Sequence, residues 1–292
     1  MLTGRLEIMK KGMYLLAGML VVSLIGSSCG GSMRKKTSVE SEERSLFACM
    51  DSTMMECDGV KLTWILDNAQ KRLMPLKLFG NVPQQLIDSL GIADGIPSSV
   101  SAFLVEVDGK HILFDAGMGN PDSRLIDGLA AAGVEPVDVD YLCLTHFHGD
   151  HIGGLIKDGN VVFPRAEVYA ARQEYEGWMQ MPDDKKAQVV TIMAAYKDRM
   201  HLFEYGDTLP GGIIALNGEG HTPGHSVFQV GAFLIVGDLV HGAALQLVHP
   251  EMCAAYDMDP QAAVKTRKYY LDYARENNLF IAGMHQPENM SE

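Results

Sequence analysis

One stretch constrains this chain more than any other: residues 145–154, T-H-F-H-G-D-H-I-G-G. It packs His146, His148, Asp150 and His151 into six consecutive positions. Imidazole nitrogens and carboxylate oxygens are the donors that borderline divalent metals such as zinc select. His146 and His148 can converge on one ion while Asp150 and His151 reach a second, so the spacing points to a two-metal site rather than a lone structural ion. A polar loop with incidental histidines competes poorly, because the chain holds 10 histidines and three of them fall in this window.

Five short, β-rich apolar runs each end in a residue or cluster that can take part in such a site. Residues 99–107 and 111–114 read as a hairpin over Asp108-Gly109, a type I′ signal, and the second strand runs into Asp115. Residues 139–144 (VDYLCL) deliver Thr145 and the His-rich stretch. Residues 212–216 lead to His221, residues 232–236 to Asp238, and residues 279–284 to His285. Strand ends fix donor positions well, because the strands behind them are rigid. The count then gives His146, His148 and His221 for one ion, Asp150, His151 and His285 for the other, and Asp238 to bridge them.

Other elements are read between these runs. Residues 60–66 (VKLTWIL) form a first strand, and 161–163 and 167–170 two short ones. Helices are expected over 123–132, with Leu125, Ile126 and Leu129 on one face and Gly133 as the stop, over 172–179 and over 184–199. Asp259-Pro260 is a helix N-cap and first-position pair, opening a helix to about residue 277 with Ala263, Tyr270 and Ala274 inside. Residues 71–95, broken by Pro75, Gly80 and Pro83, have no clear assignment.

The length, 292 residues, fits one large domain or two small ones. A formal charge of −13 argues against nucleic acid and anionic lipid as partners, since phosphate binding wants Lys and Arg in excess. Residues 1–32 read as a secretory signal: Lys10 and Lys11, an apolar run over 13–26, then the small residues S-S-C-G-G-S. The run is short of the roughly 20 residues that span a bilayer. Cys29 sits where a bacterial lipoprotein signal places its lipidated cysteine; the preceding G-S-S departs from the usual Leu-x-small pattern, and plain cleavage is the alternative. The basic pair suits a start at Met9 better than at Met1. Residues 33–44 are charged and Ser-rich, a flexible tether, and 45–292 are expected to form a single domain, periplasmic or anchored to a bacterial membrane through Cys29. Outside the cytoplasm a disulfide between Cys49 and Cys57 is allowed, and Cys143 reads as a buried thiol.

The ordered pattern H-x-H-x-D-H, distant His, G-D, distant His resembles the metallo-β-lactamase superfamily, and F-D-A-G at 114–117 resembles its first motif. The resemblance covers roughly residues 99–285 and implies an αββα sandwich of two mixed β-sheets flanked by helices. Within it, H221-T-P-G-H-S and G-D-L-V-H-G-A-A-L-Q-L, with A-x-x-x-R-K ahead of A-G-M-H285, look most like the methyl parathion hydrolase and acyl-homoserine lactonase branch. His148 in place of Glu argues against the di-iron flavoprotein reductases, and Asp238 in place of Cys against the common zinc β-lactamases. Glyoxalase II and ribonuclease Z stay open on ligands alone. The acidic charge counts against the latter, and export against the former.

The resemblance implies a hydrolase with two divalent ions, zinc first among them, and a hydroxide bridging them as nucleophile. Its substrate is a small molecule. A lactone or ester leads, because natural esters are commoner than synthetic phosphotriesters; a phosphotriesterase of methyl parathion hydrolase type, a β-lactamase and a metal-binding scaffold without turnover are the alternatives. Asp150 is the candidate proton shuttle. Asp115, Thr145 and His225 are expected to orient ligands. Phe147, Trp178 and His241 are candidate pocket residues, each with core packing or ligand support as its competing role. The chain ends seven residues after His285, where related hydrolases carry a further strand or hairpin. His285 is therefore expected near a frayed terminus, with a weakly held second metal, an edge completed by a homodimer partner, or a truncated reading frame as the consequences.

Overall fold

Alternation along the strands decides the architecture. The structure, a computed structural model, describes residues 53–287; the expected signal, Cys29, the tether and Cys49 lie outside the described residues. β1 (Met54–Cys57) and β2 (Val60–Leu66) form an antiparallel hairpin over Asp58-Gly59, with φ of 51° and 79°. The run 60–66 is thus the second strand, and a D-G turn of type I′ precedes it. β3 (Ser101–Val107) and β4 (Lys110–Phe114) pair over Asp108-Gly109 as expected. β5 (Tyr141–Cys143), β6 (Glu167–Ala171) and β7 (Met200–Phe203) then join in parallel, making one mixed seven-stranded sheet in sequence order. β8 (Thr208–Leu209), β9 (Ile213–Asn217), β10 (Ser226–Val230), β11 (Phe233–Gly237) and β12 (Phe280–Gly283) make a second, five-stranded sheet, antiparallel except for the parallel β11–β12 pair.

Successive side chains of a strand point to opposite faces. Val60, Leu62, Trp64, Phe103, Val105, Ile112, Phe114 and Cys143 therefore turn one way and meet Ile213, Ala215, Phe228, Phe233 and Ile235 of the second sheet. Ile65, Ala102, Leu104, Leu113 and Leu142 turn the other way, toward helices. Fully burying each large side chain contributes about 1.5–3 kcal/mol, so the inter-sheet layer and the helix-side layer both stabilise the sandwich.

Helices close both outer faces. α1 (Gln84–Leu90) lies in a satellite cluster with Met74, Phe79 and Ile96, beside a ribbon of Arg72–Met74 and Ile96–Ser98. α2 (Leu125–Ala131), α3 (Gly149–Ile152), α4 (Arg172–Met179) and α5 (Asp183–Ala195) cover the first sheet through Leu125, Leu129, Ile152, Trp178 and Ile192. After the short α6 (Ala243–Gln246), α7 (Pro260–Glu276) covers the second sheet with Tyr270 and Ala274 against Leu234 and Ile281. Asp259 caps α7, accepting from the backbone of Gln261 and Ala262. The result is the αββα sandwich. Among the described residues, no helix is long and apolar enough to cross a membrane.

Several local expectations shift. Ile126 is 40% exposed, since one residue along a helix rotates it about 100° away from Leu125 and off the inner face. The helix expected over 184–199 stops at Ala195, and Tyr196 turns inward to donate to Leu155 O at 2.9 Å. Residues 161–163 contribute only Asn160–Val161, paired with Ile156–Lys157. Arg124 supplies no side-chain cap for α2; Asp67, from the end of β2, accepts instead from Ser123 Oγ and from the backbone of Arg124 and Leu125.

Candidate metal centre

The strand ends converge. Asp115 leaves β4 with φ 58°, a left-handed turn that an Asp tolerates. Thr145 leaves β5, and its carbonyl accepts from Ser226 N of β10 at 2.8 Å, stitching the two sheets together at the site. Gly153 and Gly154 end the His-rich stretch because there is no room for a side chain: a Cβ on Gly153 would lie 2.1 Å from Met118 O, and one on Gly154 2.0 Å from Ala116 O. The stretch is thereby pressed onto the loop that carries Asp115.

Four overlapping donor groups result: His241 joins His221 and Asp257 in one and Asp238 and His285 in another, and the remaining two hold the expected residues. His146, His148, His221 and Asp238 form one; Asp150, His151 and His285 form the other. His148 Nδ1 lies 3.0 Å from His146 Nε2 and 2.9 Å from His221 Nε2. Asp238 stands between the groups. Its Oδ1 is 3.2 Å from His151 Nε2, while its Oδ2 is 3.3 Å from His221 Nε2 and 3.0 Å from His285 Nε2. Asp150, the one partly exposed member of its group, places Oδ2 3.6 Å from His285 Nε2 and Oδ1 3.8 Å from His151 Nε2.

Four of the imidazoles are anchored from behind at Nδ1. His146 Nδ1 faces Thr145 Oγ1 at 3.0 Å, and that hydroxyl donates to Asp115 Oδ2 at 2.7 Å. His151 Nδ1 reaches Asp115 Oδ2 at 2.7 Å, His221 Nδ1 reaches Asp257 Oδ1 at 3.0 Å, and His285 Nδ1 reaches Ser99 O at 2.7 Å. An acceptor behind Nδ1 holds the proton there and leaves the Nε2 lone pair facing inward. Asp115 and Thr145 thus touch the imidazoles of His146 and His151. His225 touches Asp238, accepting from Asp238 N through Nε2 at 3.0 Å. His285 is buried at 4% exposure and held by Ser99, whose N–H in turn reaches His285 O; the terminus beyond residue 287, where fraying is expected, lies outside the described residues.

Electrostatics divide the cluster. Burial holds the His146 imidazole well below its ordinary pKa and lowers His148 to about 3, so both present neutral lone pairs. Burial also opposes charge on His151, but Asp238, Asp115 and Asp150 outweigh it and raise its pKa well above the usual value. His285 is raised in the same way by Asp238 and Asp150. Burial works against ionised Asp238, yet His151 and His285 keep its carboxyl well below the usual range. Positive charge is therefore favoured among these carboxylates. His151 Nε2 and Asp238 Oδ1 are buried with no hydrogen-bond partner. Convergent lone pairs, orphaned buried donor atoms and a mixed N/O set fit divalent cations of the zinc type.

The expected pocket residues separate. Phe147 is 1% exposed and packs in the helix-side core rather than facing a pocket, because its side chain turns under the loop, away from the donor group that His146 and His148 enter. Trp178 is in the same core, with its ring edge-on to His148 at 5.7 Å and its Nε1 bound to Glu174. His241 does reach the centre, Nε2 lying 3.3 Å from Asp238 Oδ2 and the ring stacking on His285. Burial lowers its pKa to about 4. His201 is exposed, His249 is half-buried, and Cys143 is buried as expected.

Sequence reasoning missed three supporting groups: Asp257 behind His221, the buried Arg267 behind Asp257, and Glu174. Arg267 was visible only as part of a motif, and Asp257 and Glu174 sit in unremarked positions.

A two-sheet sandwich carrying a paired His/Asp centre at its strand ends defines a class of metal-dependent hydrolases. The sequence pattern of the Metallo-beta-lactamase superfamily matches residues 95–285, and the chain belongs to that superfamily. It is similar to the crystal structure of hydrolase AbOPH of the β-lactamase superfamily, with 32% identity, a TM-score of 0.70, and coverage of 80% of this chain and 89% of that one. It shares its fold with AidC, a dizinc quorum-quenching lactonase solved with the product N-hexanoyl-L-homoserine, at 22% identity, a TM-score of 0.73, and coverage of 80% and 90%. In sequence it is 29% identical over 120 residues to the N-acyl homoserine lactonase AttM of Agrobacterium fabrum, covering 37% of this chain and 42% of that protein. It is 41% identical over 69 residues to ribonuclease Z of Streptomyces coelicolor, covering 23% and 21%. The chain thus spans about a fifth of the length of that ribonuclease and under half of the lactonase.

Proposed function

We propose that this chain is a binuclear zinc hydrolase that cleaves a lactone or ester of a small apolar molecule. The observation that carries the proposal is Asp238, whose carboxylate reaches both donor groups: Oδ1 lies 3.2 Å from His151 Nε2, and Oδ2 lies 3.0 Å from His285 Nε2 and 3.3 Å from His221 Nε2. His146, His148 and His221 would hold one ion, Asp150, His151 and His285 the other, and Asp238 would touch both. Bound divalent ions lower the pKa of water toward neutrality and take up negative charge developing on a carbonyl oxygen.

The chain's own residues supply the rest. Asp150 is partly open to solvent, and His151 and His285 beside it hold its carboxyl below the usual range despite burial. An ionised Oδ there accepts the proton of the attacking water and returns it to the alkoxide as the acyl C–O bond breaks. Asp115, Asp257 and Ser99 keep the imidazoles from rotating. Tyr256 and Met258, 47% and 45% exposed, flank Asp257 and offer apolar surface for an acyl or alkyl group, with the Tyr256 ring 5.8 Å from that of His241.

The lactonase-related neighbours and the −13 charge both favour a small ester over a polyanion. The test is metal per chain, together with turnover of a lactone, an aryl ester, a phosphotriester and a cephalosporin. Two ions with lactone or ester turnover lost in Asp238→Ala supports the proposal. Preferred turnover of the phosphotriester or cephalosporin replaces the substrate class, and two ions with no turnover leaves a metal-binding scaffold.

We also propose that the chain is exported and lipidated at Cys29, on the strength of the basic, apolar and small-residue order of 10–32. Metabolic labelling with palmitate that persists in Cys29→Ser would count against it.

A further inference from the structure

Glu174 is buried at 1% exposure in the first turn of α4, outside both donor groups. Its carboxylate takes four hydrogen bonds from neutral donors. Oε1 accepts from Phe147 N at 2.9 Å and Trp178 Nε1 at 2.7 Å. Oε2 accepts from Thr222 Oγ1 at 2.8 Å and Gly224 N at 2.8 Å. Phe147 lies between His146 and His148, and Thr222 follows His221. One carboxylate therefore holds the backbone between His146 and His148, the side chain that follows His221 and the backbone of Gly224; those three histidines face one another at 2.9 and 3.0 Å.

The surrounding packing is as tight as the hydrogen bonding. A Cβ on Gly224 would lie 2.0 Å from Glu174 N, and one on Gly177 2.7 Å from Pro223 Cβ. The T-P-G turn after His221 is seated directly on α4, and Gln173 Nε2 donates to Pro223 O at 2.6 Å. One turn along the same face, Trp178 stands edge-on to His148. Burial raises the Glu174 carboxyl above its ordinary value, and the four donors offset part of that rise.

We propose that Glu174 is a positioning residue that sets the spacing of the three-histidine donor group by clamping its two loops to each other through α4. The inference rests on the reading that this group holds a metal ion. An ionised carboxylate has about four lone-pair sites, and all are used here. A glutamine of the same shape cannot reproduce this. Its amide oxygen can satisfy the fixed N–H groups of Phe147 and Trp178, which turns the amide NH2 toward Thr222 and Gly224. The Thr222 hydroxyl can rotate to accept; the Gly224 N–H cannot. Glu174→Gln should therefore free the His221 loop while the His146-x-His148 loop stays in place.

The experiment is a cobalt titration of the metal-free full chain, followed by d–d absorption and by chelator competition, with thermal unfolding of the metal-free protein alongside. Glu174→Gln is expected to weaken the three-histidine site about 10- to 100-fold, the usual effect of losing a group that orients ligands, and to leave the Asp150–His151–His285 site as in the wild type. Thr222→Val removes one donor without changing size and is expected to weaken the same site by a smaller factor, which keeps the test open if Glu174→Gln does not fold. A lower unfolding temperature with wild-type cobalt affinity in both variants, or equal loss at both sites, overturns the proposal. Wild-type protein that takes up no cobalt overturns instead the metal-site reading beneath it.

Discussion

Asp257 Oδ1 lies 3.0 Å from His221 Nδ1, and its other oxygen lies 3.1 Å from Nη2 of the buried Arg267. A cation is thus connected through a carboxylate to an imidazole of the centre, with no solvent between. Arg267 also donates to Leu239 O, to Pro250 O at 2.8 Å and to Met252 O at 3.1 Å, so one side chain ties the loops after β11 to the His221 anchor.

Arg267→Met should accordingly cost much more than a surface arginine does. It leaves Asp257 charged, buried and without its cation, and strips donors from three carbonyls. Removing one partner of a buried pair costs about 3–5 kcal/mol. Urea unfolding of the metal-free protein at pH 7 measures this; a loss below about 1 kcal/mol would mean that the pair contributes little.

Asp115→Asn tests the other anchor. Asp115 accepts from Thr145 N at 2.8 Å, Thr145 Oγ1 at 2.7 Å and His151 Nδ1 at 2.7 Å. Asparagine fits the left-handed backbone but turns an NH2 toward one of these donors. Metal retention should fall about 10- to 100-fold, read as ions per chain after dialysis against graded chelator. Retention equal to wild type would show that His151 needs no anchor.

Gly153→Ala should be far more damaging than Gly109→Ala. The new methyl at 153 meets Met118 O at 2.1 Å, whereas at 109 nothing lies within 4 Å and only the φ of 71° is strained. Expected losses are about 3 kcal/mol or more at 153 and about 1–2 kcal/mol at 109, from thermal unfolding. Similar values at both sites would contradict the close approach of the two loops.

Asp140→Asn gives a pH-dependent readout away from the centre. Burial opposes its charge, but the His111 N–H at 3.0 Å and Lys110 Nζ at 2.9 Å lower its pKa below the ordinary 3.8. A depressed folded pKa contributes stability above the unfolded value, and the contribution is lost as pH falls through the folded one. Because the side chain is 29% exposed, the gap between wild type and variant should be about 1 kcal/mol at pH 7 and close to zero near pH 2. A constant gap across that range would rule out the charge as its source.

Much of the fold could be read from residues 60–66, 101–114 and 233–237, because the period of two and the D-G turns are local signals. The centre could be read for a related reason: each candidate donor lies in the turn or loop that follows such a strand, so naming the strand narrows the donor's place. Glu174, Asp257 and Asp67 gave no such signal. Each is a carboxylate in a helix or loop, where solvent exposure is the ordinary expectation, and its partners lie far away in sequence. Phe147 was misplaced for the same reason. Its neighbours His146 and His148 suggested a pocket, but the side to which a loop residue turns is decided by what packs beneath it.

The sequence by itself determined the strands that lead into the site and the donor types that follow them, since alternation, turn chemistry and side-chain identity are properties of short segments; the strands at 54–57, 200–203 and 226–230 it did not mark. The tertiary structure alone decided that His285 is held by Ser99, that Asp257 joins His221 to Arg267, and that Glu174 accepts from residues 147, 178, 222 and 224 at once. Those relations are distances between segments tens of residues apart, and only the packing of the two sheets against each other and their helices sets them.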